Sequence, residues 1–278
     1  MTLKQTLSQA GEILAASNIE GPLLESELLL RHALKIDRIQ LYLALAQELT
    51  PDQHEDFWRL VQRRLNHEPS AYITGHREFY GLDFYVNSDV LIPRPESELL
   101  VEKTLELGRN EAMGTIAEIG TGSGAIAISL ALNLSETKIY ATDISAPALK
   151  VALFNCRKHG VENIHLLEGD MLDPLPEPVD LIVANLPYVR ESELARVNTL
   201  DFEPSIALNG GSDGLEKIRK LGAGLSTKLC PGGSLLLEIG QGQSEAVTSL
   251  LSGLFPTAKT AVFPDLGGID RVVSLTLS

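Results

Sequence analysis

The stretch that decides the fold is Thr115-Ile116-Ala117-Glu118-Ile119-Gly120-Thr121-Gly122-Ser123-Gly124, followed directly by the largely apolar run 125–132. An apolar run, a glycine-rich turn and a second apolar run of helical length are typical of a strand, a tight loop and a helix. Glycine adopts backbone angles that other residues avoid, so this loop can turn sharply and bring main-chain N–H groups to a ligand at a helix N-terminus. A turn without a ligand would have the same pattern, and the residues that follow decide between the two.

Six further apolar runs predict strands, and helical patterns fill most of the gaps between them. Their bounds are 138–142, 163–167, 179–184, 234–239, 258–263 and 272–277. The last two are joined through Asp265-Leu266-Gly267-Gly268, which leaves too few residues for a crossover helix, so this pair is predicted to be antiparallel. The predicted fold class is α/β, with a seven-stranded, Rossmann-like sheet covered by helices.

The residues before this sheet have a different pattern of apolar residues. Apolar residues recur at spacings of three or four from Leu3 to about His67, which predicts a small helical bundle. Aromatic and β-branched residues around Gly81 then predict a hairpin. We therefore predict a helical domain over 1–68, a β-hairpin linker over 69–92 and a catalytic domain over 93–278.

Composition limits the partners. Lys and Arg total 23 against 37 Asp and Glu, a net charge of −14, so a broad nucleic-acid surface is not expected. The one compact basic group, Arg59, Arg63 and Arg64, is interpreted as a solvated helix face. Cys156 and Cys230 lack the spacing of a disulfide scaffold, and the sequence has neither a signal peptide nor a membrane span, so a cytoplasmic protein without a membrane partner is predicted. No His or Cys spacing suits a metal, and none is predicted.

Polar residues at the strand ends indicate what the loop binds. Asp143 ends the second strand, where a carboxylate can accept hydrogen bonds from both ribose hydroxyls of a nucleoside. Gly169-Asp170-Met171 follows the third strand and offers an acceptor for an adenine amino group and an apolar wall, although it can also be a simple turn. NAD fits Asp143 as well, but the Gly-x-Gly-x-Gly spacing and Glu118 disfavour a pyrophosphate and favour a cation. The residues therefore favour S-adenosylmethionine as the cofactor.

The fourth strand ends in Asn185-Leu186-Pro187-Tyr188, which predicts the acceptor site. An amide nitrogen is a poor nucleophile, because its lone pair is delocalised into the carbonyl. The Asn185 side-chain oxygen and the Leu186 carbonyl can accept the two N–H bonds of a planar amide or amine, while Tyr188 packs against it and excludes water. This scheme requires no dedicated acid or base.

With these motifs, the chain resembles the class I S-adenosylmethionine-dependent methyltransferases, and specifically the peptide chain release factor glutamine methyltransferases (PrmC/HemK family). The resemblance covers nearly the whole chain and extends to motifs outside the two sites, namely 69–75, 79–81, 91–96, Glu203-Pro204, Ala207-Leu208, Gly210-Gly211, 213–215, Asp265-Leu266 and Asp270-Arg271. It implies a methyltransferase sheet, release factors as the protein substrate and S-adenosylhomocysteine as the product. The helical domain would then help to grip that partner.

The resemblance also implies the roles of individual residues. The catalytic and substrate-binding residues are expected to be Asn185, Leu186, Pro187 and Tyr188. The cofactor-binding residues are expected to be Glu118, Gly120, Thr121, Gly122, Ser123, Gly124, Asp143, Asp170, Met171 and Asn185. The family motif is usually Asn-Pro-Pro-Tyr, so Leu186 is a departure. Leucine keeps the carbonyl but loosens the turn, and we predict that activity is retained.

Two other acceptors fit the same planar-nitrogen chemistry. A paralogous family methylates glutamine in a ribosomal protein with a similar catalytic domain, and other enzymes methylate the amino group of adenine or guanine in nucleic acid. The acidic composition counts against the second of these. A binding module without turnover would also explain the cofactor loop alone.

Overall fold

The computed structural model describes residues 1–110, 113–194 and 202–278. It divides into two compact units, Met1–His76 and Arg77–Ser278. Among its described helices, none combines the length and the apolar character that a membrane span needs.

The first unit is helical, as the periodicity predicts. Its helices are α1 (Leu3–Ala16), α2 (Pro22–Leu34), α3 (Arg38–Leu43), α4 (Pro51–Leu65) and α5 (Ser70–Thr74). Thr50 begins α4 with a capping box, in which its hydroxyl accepts from the Gln53 N–H and the Gln53 side chain accepts from the Thr50 N–H. Pro51 then occupies the first helical position, where its missing N–H costs nothing.

The second unit starts with a two-stranded sheet and continues into alternating helices and strands. The two-stranded sheet pairs β1 (His76–Phe79) with β2 (Leu82–Tyr85). The remaining elements are α6 (Glu98–Asn110), β3 (Thr115–Ile119), α7 (Ala125–Asn133), β4 (Lys138–Asp143), α8 (Ala146–His159), β5 (Ile164–Glu168), β6 (Val179–Ala184), α9 (Glu191–Leu194), α10 (Glu216–Lys228), β7 (Leu229–Glu238), α11 (Ser244–Leu254), β8 (Lys259–Pro264) and β9 (Asp270–Thr276). Short 3-10 helices cover Pro95–Ser97 and Ser205–Ala207.

The main sheet has seven strands in the order β5-β4-β3-β6-β7-β9-β8. β3 is parallel to both β4 and β6, whereas β9 is antiparallel to β7 and to β8. The predicted Rossmann-like α/β class and the antiparallel last pair are thus confirmed. The strand order reverses between β3 and β6, and in such sheets the carboxyl ends of the two strands at this point border a ligand crevice.

Side chains of the sheet alternate between two apolar clusters, one on each face. Along β6, Leu181 and Val183 join the cluster beneath α6, α7 and α8, while Ile182 and Ala184 join the cluster beneath α10 and α11. Because both faces are covered, the central strands read as continuous apolar runs in the sequence.

One strand differs from its predicted bounds. We predict a strand over 234–239 after a turn at Pro231-Gly232-Gly233, but β7 begins at Leu229. Val179 pairs with Leu229 while Leu181 pairs with Ser234, so the intervening residues bulge out of the strand. Gly232, with a φ of +77°, supplies the left-handed residue of this bulge.

Candidate active site

The glycine loop is tied to the neighbouring strand. The N–H groups of Gly120 and Thr121 both donate to the Thr142 carbonyl at 2.9 Å. Gly120, Gly122 and Gly124 have φ values of +76°, +55° and +82°, a region that other residues enter only with strain. The sequence therefore folds into a loop that crosses the end of β4 and begins α7 at Gly124.

Glu118 lies beneath this loop and is 2% exposed. Its Oε2 accepts from the Thr121 hydroxyl at 2.6 Å and from the Ala127 N–H at 3.0 Å. Gly124 cannot cap α7 with a side chain, so Glu118 supplies the cap from the preceding strand. Burial raises the pKa of Glu118 to about 8, and the negative charge of Asp143 adds to the rise.

Asp143 closes β4 beside the same loop. Its two carboxylate oxygens accept from the N–H groups of Gly122 at 2.8 Å and of Ser145 at 2.9 Å. Burial raises the pKa of Asp143 above its usual range. The carboxylate is therefore held in a fixed position and still has acceptor capacity for a ligand hydroxyl.

Two adjoining cavities open along these residues, and they share Leu91, Gly120 and Gly122. The larger has an empty volume of about 840 Å³ with its open mouth included, within the range of small-molecule sites. Its lining includes Asp143, Asp170, Met171, Leu186 and Pro187. The smaller is lined by residues that include Glu118, Thr121, Ser123, Ser97 and Asn185.

These cavities fit a cationic nucleoside. A Cβ built on Gly122 meets nothing within 4 Å, so the space beside the loop is open. The carboxyl groups of Glu118 and Asp143 supply hydrogen-bond acceptors, and a bound cation would favour the ionised form of both. Asp170 lines the cavity while it pairs with Lys220. Met171 lines it from a left-handed backbone conformation, with a φ of +52°.

Asn185 and its neighbours leave the carboxyl end of β6, next to the glycine loop on β3. The Asn185 Nδ2 donates to the Ser97 hydroxyl at 2.9 Å, and the Tyr188 hydroxyl donates to Glu238 at 3.4 Å. Burial raises the pKa of Tyr188 to about 12, and the negative charge of Glu238 adds to the rise, so Tyr188 stays a neutral phenol at physiological pH.

Leu186 is 3% exposed and belongs to the same apolar cluster as Ile119 and Ala184. A Cβ on Gly120 would lie 3.6 Å from its Cδ2, so the side chain also packs beneath the glycine loop. This packing anchors the turn at the position where the usual family motif has proline.

Gly124 has a packing role. A Cβ there would lie 3.1 Å from Ile128 Cδ1 and 3.3 Å from Ala152 Cβ, so glycine permits close approach of α7 and α8. Of the predicted site residues, the structure brings the loop, Asp143, Asp170, Met171 and residues 185–187 to the two cavities. Gly124 and Tyr188 line neither cavity: Gly124 lies behind the loop, and the Tyr188 hydroxyl is held by Glu238.

Two residues of this region, Ser97 and Glu238, were missed in the sequence, and Glu203 was noted there in a motif but without a role. Ser97 and Glu238 hold Asn185 and Tyr188 by the hydrogen bonds above and are 4% and 1% exposed. Glu203 accepts from the Ile92 N–H at 3.1 Å and from Arg94 at 2.5 Å, which joins segment 92–94 to the segment beginning at Glu203. A signal for Glu238 was present, since Glu-Ile-Gly ends two apolar strands, at 118–120 and again at 238–240.

The strand order, the glycine loop after β3, the carboxylate that closes β4 and the adjoining acceptor motif define an S-adenosylmethionine-dependent methyltransferase with a Rossmann-like fold. Two family models match, the PrmC N-terminal domain over residues 5–75 and the methyltransferase small domain over residues 95–201. A release factor glutamine methyltransferase of Moorella thermoacetica is 44% identical over 98% of this chain and 97% of its own. One of Koribacter versatilis is 40% identical over 98% of each chain. The chain belongs to the release factor glutamine methyltransferase family.

A solved structure is similar in fold. The methyltransferase from Pyrococcus furiosus matches 71% of this chain and 89% of its own with a TM-score of 0.53. At 20% identity, this similarity supports the fold alone.

Proposed function

We propose that this protein transfers the methyl group of S-adenosylmethionine to the side-chain amide nitrogen of the glutamine in the Gly-Gly-Gln motif of peptide chain release factors. The observation that carries the proposal is the place of Asn185, which lines the same cavity as Glu118 and the glycine loop. Membership of the family supports the release factor as acceptor.

Glu118, Gly120, Gly122, Asp143 and their neighbours would hold the cofactor. Asp143 would accept from the ribose hydroxyls, Asp170 and Met171 would meet the adenine, and Glu118 would balance positive charge. Bound there, S-adenosylmethionine supplies a methyl group activated by its sulfonium and leaves as S-adenosylhomocysteine.

The remaining steps belong to the acceptor motif. Asn185 Oδ1 and the Leu186 carbonyl accept the two N–H bonds of the glutamine amide, and Tyr188 covers its planar face. These acceptors bind better as positive charge develops on nitrogen, which favours the transition state over the bound substrate. The nitrogen gains the methyl group and loses one proton, which is released to solvent because the scheme has no dedicated base and Tyr188 remains a neutral phenol.

The charges of the helical unit support a protein acceptor over a nucleic acid. Each arginine of the predicted basic group is paired with a carboxylate, in the pairs Arg59–Asp56, Arg63–Glu68 and Arg64–Glu25. A paired arginine has little remaining attraction for phosphate. Both cysteines are unpaired thiols, which supports a cytoplasmic location.

The test incubates the purified protein with S-adenosylmethionine and a release factor, and mass spectrometry follows the Gly-Gly-Gln peptide. We expect a shift of one methyl group on glutamine, and none with Asn185→Ala. A release factor that remains unmodified would contradict the proposal. The ribosomal-protein acceptor, DNA and RNA are tested as acceptors in parallel reactions. Methyl transfer to one of these alone would identify a different substrate.

The variant Leu186→Pro serves as the companion to Asn185→Ala. It keeps the carbonyl acceptor, stiffens the turn and removes a buried side chain. We expect its kcat to stay within about tenfold of the parent, whereas Asn185→Ala loses activity. Equal losses in the two variants would contradict the role of the Asn185 side chain.

A further inference from the structure

A buried chain of hydrogen bonds lies behind the acceptor motif. The Asn185 Nδ2 donates to Ser97 Oγ at 2.9 Å, and Ser97 Oγ donates to Glu238 Oε2 at 2.6 Å. The Tyr188 hydroxyl donates to the other oxygen, Oε1, of Glu238 at 3.4 Å. Ser97 is 4% exposed and Glu238 is 1% exposed, so water does not compete freely for these bonds. Both side chains of the acceptor motif are thus connected to one carboxyl group.

The donor and acceptor properties of these groups fix the direction of each hydrogen bond in this series. An ionised carboxylate only accepts hydrogen bonds, and a serine hydroxyl has a single hydrogen to donate. Since Ser97 gives that hydrogen to Glu238, its oxygen can only accept from Asn185. The Asn185 NH2 group must therefore face Ser97, and Oδ1 must point the other way. Within the described residues, Oδ1 accepts no hydrogen bond.

We propose that Ser97 and Glu238 are positioning residues that orient the Asn185 amide, so that its oxygen rather than its NH2 group meets the glutamine N–H. The proposal rests on the proposed function, because the acceptor role of the Asn185 oxygen belongs to that function. Neither residue needs to touch the reacting atoms. Their effect is to remove the second, flipped orientation of the amide before the substrate binds.

Protonation of Glu238 would release this control. A neutral carboxyl can donate to Ser97, which can then turn its own hydrogen towards Asn185 Oδ1 and allow the amide to flip. Burial raises the pKa of Glu238 to about 7. Of the charged and titratable groups around it, Glu96 raises this pKa further, while Arg271 on β9 and the Tyr188 hydroxyl lower it.

The turnover number should depend on the ionisation of Glu238. Ionised Glu238 orients the amide, so kcat at saturating cofactor should rise with pH through about 7 and then level off. Glu118 lines the cavity that Ser97 and Asn185 also line, and its pKa is raised to about 8, but its carboxyl group would face the cofactor. Saturation with cofactor therefore separates the two titrations, since Glu118 acts on KM and Glu238 on kcat.

The experiment compares the parent with Ser97→Ala, Ser97→Thr and Glu238→Gln. It measures kcat and both KM values for a release factor from about pH 5 to about pH 9. We expect Glu238→Gln to lower kcat about 10- to 100-fold and to flatten its pH dependence. Ser97→Ala should lower kcat about tenfold, and Ser97→Thr, which keeps the hydroxyl, should recover most of the loss. The KM for cofactor should stay within about threefold, which also shows that the variants are folded.

A second readout does not need the acceptor. The side-chain amide signal of Asn185, assigned by its loss in Asn185→Ala, is followed by ¹⁵N NMR across the same pH range. It should titrate with a midpoint near 7 in the parent and not in Glu238→Gln. A signal that does not titrate, or titrates equally in both, overturns the proposal.

The outcomes separate the two proposals. A parent that leaves release factor unmodified contradicts the proposed function, and the NMR titration then decides the positioning role alone. A parent that is active while Glu238→Gln keeps the parental pH profile, or while Ser97→Ala keeps the parental kcat, overturns the positioning role and leaves the proposed function standing.

Discussion

Glu118 and Glu238 end two strands of the sheet with the same tripeptide, Glu-Ile-Gly. Both are buried, and burial raises their pKa values to about 8 and about 7. Their partners differ, because Glu118 caps α7 beneath the glycine loop, whereas Glu238 holds Ser97 and Tyr188. The same short sequence therefore places one carboxyl beside the cofactor space and the other behind the acceptor motif.

The raised pKa of Glu118 predicts a proton linked to cofactor binding. At pH 7 this carboxyl is mostly protonated, and a bound cation favours its ionised form. We expect binding of S-adenosylmethionine to release up to about one proton at pH 7 and to tighten as the pH rises through about 8. Calorimetric titrations in two buffers of different ionisation enthalpy measure the released proton directly.

Glu118→Gln is the matched control for this linkage. The glutamine keeps a side-chain oxygen that can accept from Thr121 and Ala127, so the cap on α7 survives. The variant should bind cofactor about tenfold more weakly, without the buffer-dependent heat. If the parent and the variant release the same proton, Glu118 is not the group that titrates.

Site residues could be predicted where a motif places them at a strand end. Glu118, Asp143 and Asn185 follow apolar runs, and parallel strands bring such positions to one edge of a sheet. Ser97 lies in a short 3-10 helix without a motif of its own, and its partners are distant in sequence. Its role depends on tertiary contacts, which hydrophobic periodicity does not encode.

At the level of elements, glycines support the acceptor turn from behind. A Cβ on Gly210 would lie 2.7 Å from Tyr188 Cα and 2.8 Å from the Pro187 carbonyl oxygen. A Cβ on Gly214, which has a φ of +78°, would lie even closer to the Tyr188 carbonyl oxygen. Because these contacts are with backbone atoms, an added methyl group must displace the acceptor motif itself.

Gly210→Ala tests this support. We expect a fall in kcat of about 10- to 100-fold with cofactor affinity unchanged, since a shift of about 1 Å in the motif misplaces the amide. Gly253→Ala is the control, because Gly253 lies in α11 with nothing within 4 Å of its Cβ position, and alanine there favours the helix by about 1 kcal/mol. Parental turnover in Gly210→Ala would mean that the turn has room behind it.

Most elements of the fold could be predicted from apolar runs and their flanking residues. The bounds of β3 and β6 agree with the sequence, and Ser145 and Gly160 begin and end α8 as expected. The start of β7 could not be predicted, because Pro231-Gly232-Gly233 has the composition of a turn whether it ends a strand or bulges within one.

At the level of the whole molecule, the apolar cores fall in different units. Phe57 and its cluster lie within Met1–His76, whereas Phe84 and the clusters on both faces of the sheet lie within Arg77–Ser278. The finer division into 1–68, 69–92 and 93–278 stays a proposal from the sequence. Each unit therefore has its own apolar core and should be able to unfold independently of the other.

These cores predict two unfolding transitions in scanning calorimetry. Cofactor should raise only the transition of Arg77–Ser278, because its candidate site lies there. Phe57→Ala and Phe84→Ala form a matched pair, since both rings are 0% exposed. Each should destabilise its own unit by about 3–5 kcal/mol and leave the other transition in place. A single transition that both variants shift equally would contradict independent cores.

The shared floor of the two cavities has a consequence for inhibition. Leu91, Gly120 and Gly122 line both spaces, so the two cavities adjoin at these residues, and a molecule that reaches past them would occupy the nucleoside side and the Asn185 side together. Joining two fragments makes the second contact intramolecular and can raise affinity by about 10²- to 10⁴-fold. A nucleoside tethered to a primary amide would then compete with the methyl donor and with the protein acceptor at once, which neither fragment does alone.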